Sequence, residues 1–164
     1  MHPWTEMAVR AVLIGVGATA VMDIWLMGLK RLKVPTLNFA FIGRWVGNGL
    51  GTRWARDGIA KAPPVRGELL IGWLAHYAIG IAFAALLLAV CGMAWTQQPT
   101  LLPALALGIV TVVAPLFIMQ PAMGSGVLSS RTPRPVLNCL KSLCNHAVFG
   151  GGLYLAAQLV ARLA

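Results

Sequence analysis

Four side chains with proton or metal chemistry, and one amide, stand inside, or at the edge of, apolar stretches where such groups are costly. His76 and His146 open two copies of one pattern, His-x-x-x-Gly, closed by Gly80 and Gly150. Asp23 and Gln120 each follow a methionine, Met22 and Met119, and Glu68 precedes His76 by eight residues. An imidazole or carboxylate in apolar surroundings is unfavourable unless partnered, and ionisable groups inside membrane spans face the protein interior rather than lipid. Two imidazoles in matching contexts, with a carboxylate at similar depth, suit three chemistries. These are a proton relay, a divalent metal held by His76 and His146, and bis-histidine ligation of haem b. A glycine one turn beyond each histidine would leave room for a porphyrin, and basic loops would meet its propionates.

Composition says what surrounds these groups. The chain has 164 residues, 59% hydrophobic and 10% charged, with a mean hydropathy of +0.79. Soluble domains carry about 25% charged residues, so the chain falls in the membrane class. Its length allows about four spans of roughly 20 residues each. The formal charge of +9 comes from basic residues flanking apolar runs, a pattern for anionic lipid at one membrane face and not for nucleic acid. Cys91, Cys139 and Cys144 are odd in number and imply no disulfide framework. No HExxH, GxSxG or Cys-x-x-Cys occurs, and the four acids include no close pair, which weighs against an enzyme. Met22, Met27, Met119 and Met123 lack a repeated ligand spacing and read as packing rather than as a copper path.

The expected fold is all-α: a polytopic membrane protein and single domain over 1–164, with four transmembrane helices near 7–29, 68–95, 100–123 and 142–162. The loops at 30–67 and 124–141 hold eight and three of the 13 Lys and Arg, while the connector at 96–99 holds none. The positive-inside rule then places both loops in the cytoplasm and both termini outside, in a bacterial cytoplasmic membrane. Within the first loop, the apolar and aromatic run from Leu37 to Val46 reads as a short interfacial helix. Pro115 should kink the third span, and Trp95 reads as an interfacial anchor of the second.

Four-residue steps put Gly15, Thr19 and Asp23 on one helix face, and Glu68, Gly72, His76 and Gly80 on another. Aligning His76 with His146 superposes Gly80 on Gly150, and Met22-Asp23 resembles Met119-Gln120. Both point to a parallel duplication of a two-helix unit. Asp23, His76, Gln120 and His146 would then line one cytoplasm-side site, with Glu68 at its entrance and Arg44 at its rim. The competing expectation is that each group is locally satisfied, Asp23 by Lys30 and Glu68 by a loop arginine, with the histidines only joining helices.

Six stretches resemble a family of small bacterial inner-membrane proteins known only as a domain of unknown function. They are Gly15 to Asp23 (GVGATAVMD), Gly43 to Gly47 (GRWVG), Gly72 to Gly80 (GWLAHYAIG), Ala114 to Pro121 (APLFIMQP), Arg131 to Pro135 (RTPRP) and His146 to Leu155 (HAVFGGGLYL). The resemblance implies four membrane helices and carries no catalytic assignment. Three function classes therefore stand: transport or permeation of a small solute, proton or metal ion; a bis-histidine haem b protein; and a structural or accessory membrane protein. Small-residue spacings also allow a homo-oligomer.

Overall fold

A computed structural model describes residues 2–53 and 56–163. The terminal residues of the expected domain and two residues of the first loop lie outside them. Five helices carry the described chain, and no strand occurs among the described residues. They are α1 (Pro3–Arg31), α2 (Phe39–Gly47), α3 (Glu68–Cys91), α4 (Leu101–Ala122) and α5 (Pro135–Leu163).

The start and stop signals are ordinary local chemistry. Pro3 opens α1, where its missing N–H costs nothing. Glu6 in the first turn and Lys30 and Arg31 in the last complement the helix dipole. Asn38 caps α2, its side chain accepting from the Ala40 N–H at 3.0 Å. Gly92, at φ 77°, stops α3 in a conformation that favours glycine.

α1, α3, α4 and α5 are long and apolar enough to cross a membrane, with 29, 24, 22 and 29 residues. At 1.5 Å per residue even the shortest exceeds the roughly 30 Å hydrocarbon thickness. Only 22–33% of each apolar window is buried within the protein. Leu13, Ile24, Leu74, Val90, Leu102, Val110 and Leu159 point outward, while glycines and alanines form the helix contacts. That inversion is what lipid as solvent produces: the chain is a four-helix membrane protein.

The chain divides into two compact units, and α3, α4 and α5 each contribute to both. Unit 1 comprises 1–36, 77–111 and 145–164; unit 2 comprises 37–76 and 112–144. Unit 1 has its core at Ile14, Ala18, Leu87, Leu88, Phe149 and Leu153. Its helices approach almost backbone to backbone. A Cβ added at Gly15 of α1 would lie 2.5 Å from the Ile81 Cα of α3, and one at Gly108 of α4 would lie 2.6 Å from the Gly150 Cα of α5. At the end that holds the termini, Arg10 donates to the Thr96 hydroxyl and Gln158 to the Pro99 carbonyl. Arg10 of α1 and Gln158 of α5 therefore lie beside the 96–99 connector. In unit 2, Ile59, Ala62 and Met123 form a small core with Phe41, Trp45 and Met119 against it.

Two helix boundaries, the place of Trp95 and the effect of Pro115 differ from the sequence expectation. The fourth helix starts at Pro135, not 142, so the second loop is shorter than 124–141 and Lys141 lies on the helix. Its first turns carry Asn138, Lys141 and Ser142, which lower the hydropathy of a window and which a helix tolerates. α3 ends at Cys91, not at 95; Met93–Thr96 forms a separate 3₁₀ turn. Trp95 on that turn is buried in the unit 1 core, its indole N–H reaching the Thr100 hydroxyl at 3.3 Å. It packs inward rather than anchoring at the interface. Pro115 acts by widening α4 into a π segment, Ala114–Met119, where the Gln120 N–H donates to the Pro115 carbonyl, five residues back. A proline has no N–H to give the preceding turn, and an added residue per turn accommodates the loss.

Candidate functional site

In unit 1, α1 presents Asp23 to α3. The Tyr77 hydroxyl donates to the Asp23 carboxylate at 2.9 Å. Both are half-buried. Asp23 stands eight residues inside the C-terminal end of α1, roughly 12 Å by helical rise. The stripe that carries it explains the placement. Gly15 and Thr19 seat α1 against Gly80, with the Thr19 hydroxyl donating to the Gly15 carbonyl at 2.8 Å. One turn along that seam from Gly80, the chain of α3 offers Tyr77. A second polar pair joins α1 to α5: the Trp25 indole N–H donates to the Asn145 side-chain oxygen at 2.9 Å.

His146 also belongs to unit 1. Its Nδ1 lies 2.9 Å from the Thr111 hydroxyl, which stands 2.7 Å from the Gly108 carbonyl. A hydroxyl has one proton to give, and the closer acceptor is the carbonyl. The proton on the imidazole bond then belongs to Nδ1, leaving Nε2 as the acceptor nitrogen. His146 thus ties α5 to the end of the α-helical part of α4.

In unit 2, the stripe Glu68, Gly72, His76 is the seat of α2. Gly72 and Gly43 meet with no room for a side chain on either: a Cβ at Gly43 would lie 2.7 Å from the Gly72 N. Phe39 lies over His76, ring centroids 4.6 Å apart, and against Trp73 at 4.3 Å. Arg44 grips Glu68 with two parallel bonds, Nε to Oε2 and Nη2 to Oε1, each 2.8 Å. Its other edge reaches the Ala60 and Ala62 carbonyls. The hydrogen bond to Glu68 raises Arg44 above the ordinary guanidinium range, against the opposing effect of burial. The group stays charged at any physiological pH.

Gln120 closes a different contact. Its amide donates to the Ser142 hydroxyl at 3.2 Å, and its carbonyl oxygen accepts from Ser129 at 2.6 Å. Ser129 and Leu128 are non-glycine residues at φ 58° and 53°, a conformation costing about 1–2 kcal/mol each. Gln120 therefore holds a strained loop end onto α4, with both ends of its own amide engaged.

The structure thus brings Glu68 together with Arg44, gives Asp23 the Tyr77 phenol, and gives His146 Thr111. Sequence reasoning missed Tyr77 and Thr111. Tyr77 carried a signal, being a phenol adjacent to His76 inside an apolar run, where buried hydroxyls seek acceptors. The space read as room for a porphyrin is taken. Thr19 and Gly15 fill the gap at Gly80, and the backbone of Ala104, Leu105 and Gly108 fills the gap at Gly150. Among the described residues, no group of three or more His, Cys, Asp or Glu is arranged to hold a metal ion.

The forked Arg44–Glu68 bond makes a sharp expectation. Arg44→Lys should destabilise the protein nearly as much as Arg44→Ala, because an ammonium cannot form the fork or reach both carbonyls. Thermal unfolding in detergent checks this; full retention of stability by the lysine variant would contradict it.

No curated protein and no solved structure matches the chain. A family profile described as a protein of unknown function, DUF2938, matches residues 12–160. That match covers nearly all of the chain and includes every polar group described above except Arg10 and its partner Glu6. The chain belongs to the DUF2938 family.

Proposed function

We propose that the protein is a transport or permeation protein whose unit 1 polar groups carry a proton, alone or coupled to a small solute or cation. The observation that supports this reading is the Asp23–Tyr77 pair within the membrane spans. A carboxylate is costly at this depth, and a structural role alone is met more cheaply by a neutral group. The Tyr77 phenol can both donate and accept a hydrogen bond, so the pair offers a hydrogen-bonded path along which a proton can pass. His146, with Nε2 as its acceptor nitrogen, is a second proton acceptor on a neighbouring helix of the same unit. The π segment at Pro115 supplies α4 with a place to change its winding, a feature frequent at functional sites.

Reconstituted protein should carry protons into liposomes under an imposed membrane potential, read by an entrapped pH-sensitive dye. Flux equal to that of protein-free liposomes, with and without candidate solutes, would remove this reading.

The orientation belongs to the same proposal. Eleven of the 13 Lys and Arg lie in the two stretches 30–67 and 124–141, which supports a cytoplasmic position in a bacterium, against anionic lipid. Reporter fusions at Gly51 should read as cytoplasmic and at Gln98 as periplasmic. The opposite pattern would invert the topology.

A further inference from the structure

Within unit 1, α1 and α5 run antiparallel, Ala18 against Gly152 and Gly17 against Ala156. A groove of about 480 Å³ follows this pair, from Val21 and Leu155 at one end to Glu6 and Leu163 at the other, with Leu13 and Leu159 on its walls. Its interior is apolar apart from one place. At the mouth, Arg10 Nε donates to Glu6 Oε1 at 2.9 Å, and Arg10 Nη1 donates to the Thr96 hydroxyl at 3.1 Å.

We propose that this groove binds one phospholipid with a zwitterionic, amine-bearing headgroup. Three features select that occupant. The first is length: Glu6 and Val21 are fifteen residues apart, roughly 22 Å along α1. That span covers one leaflet's half of the roughly 30 Å hydrocarbon core and the headgroup region beyond it. The second is chemistry along the walls: branched aliphatic side chains with no hydrogen-bonding group match a fatty acyl chain and nothing polar. The third is charge at the mouth. The acid and the base are side by side, so they complement a headgroup that carries a phosphate and an ammonium at similar spacing. Arg10 is held by Glu6 and Thr96, with its side chain 14% exposed, and it turns its remaining Nη2 edge to the phosphate. Glu6, at 40% exposed, keeps a carboxylate oxygen for the ammonium. A headgroup with no cationic part would leave Glu6 facing a second negative charge, so anionic lipids are discriminated against. Lipid in bulk contact with the spans has none of this selectivity.

The test is native mass spectrometry of the full chain after exchange from an equal mixture of phosphatidylethanolamine and phosphatidylglycerol. Wild type should retain one phosphatidylethanolamine. Leu13→Trp and Leu159→Trp, which fill the groove from exposed positions, should lose the retained lipid while keeping the wild-type unfolding temperature. Arg10→Gln should retain lipid without preference between the two headgroups. If Arg10→Gln fails to fold, the tryptophan pair and the wild-type headgroup preference still decide. Equal retention of both lipids by wild type, retention by the tryptophan variants, or a lipid-free dimer that Leu159→Trp dissociates would each overturn the proposal. The last outcome would assign the groove to a second copy of the chain.

Discussion

Gly108→Leu should abolish folding, and Gly108→Ala should already lower stability by about 1–3 kcal/mol, the usual cost of overpacking. A Cβ at Gly108 would lie 2.5 Å from the His146 carbonyl oxygen and 2.7 Å from the Gly150 N. Those atoms are backbone, so no side chain can swing aside; α4 and α5 must separate. Separation also breaks the Thr111–His146 hydrogen bond one turn away. Against a total stability of about 5–15 kcal/mol, a leucine at this crossing exceeds what relaxation can absorb. The control is on the partner helix, α5. Gly151 has nothing within 4 Å of a would-be Cβ, and it sits mid-helix, where glycine is worse than alanine by about 1 kcal/mol. Gly151→Ala should therefore raise stability slightly. Unfolding in detergent, followed by circular dichroism, reads both. Equal tolerance at the two positions would mean that the helix crossing is not as close as described.

Asp23→Asn should reduce proton flux by roughly 10²-fold or more, the scale on which a positioned proton-transfer group acts. The amide is nearly the same size and can still accept from Tyr77, so the seam between α1 and α3 should persist and the protein should remain folded. Tyr77→Phe removes the donor and keeps the ring. It should lower flux less than Asp23→Asn, because the carboxylate that carries the proton remains. Loss of flux in Tyr77→Phe with full flux in Asp23→Asn would assign the proton to a different group.

The membrane helices were legible because hydropathy and length suffice for them. α2 was legible from its aromatic run; Pro115 marked where α4 is disturbed, but not that the disturbance is a π segment. The start of α5 was not legible, because Asn138, Lys141 and Ser142 are polar while still compatible with helix. The site was legible unevenly. Glu68 and Arg44 carry opposite charges at the edges of apolar elements, and that complementarity survives in one dimension. The four-residue stripes correctly grouped Gly15 with Thr19, and Glu68 with Gly72. They serve as helix seams, because a row of small residues presents the same spacing to a partner helix as to a cavity. Gln120 looked like a site residue, yet its amide holds the loop at Ser129 and the hydroxyl of Ser142. That loop's left-handed residues carry no marker in their types.

Under the proposed function, Asp23 exchanges a proton within the membrane while bonded to Tyr77. Infrared difference spectroscopy between acid and alkaline samples measures that proton directly. Wild type should show a protonated-carboxyl band at low pH that disappears at high pH. The band should be missing in Asp23→Asn and displaced in Tyr77→Phe, because the phenol no longer bonds to the carboxyl. A spectrum in which Asp23→Asn keeps the wild-type band, or in which wild type shows none across the accessible pH range, would contradict it.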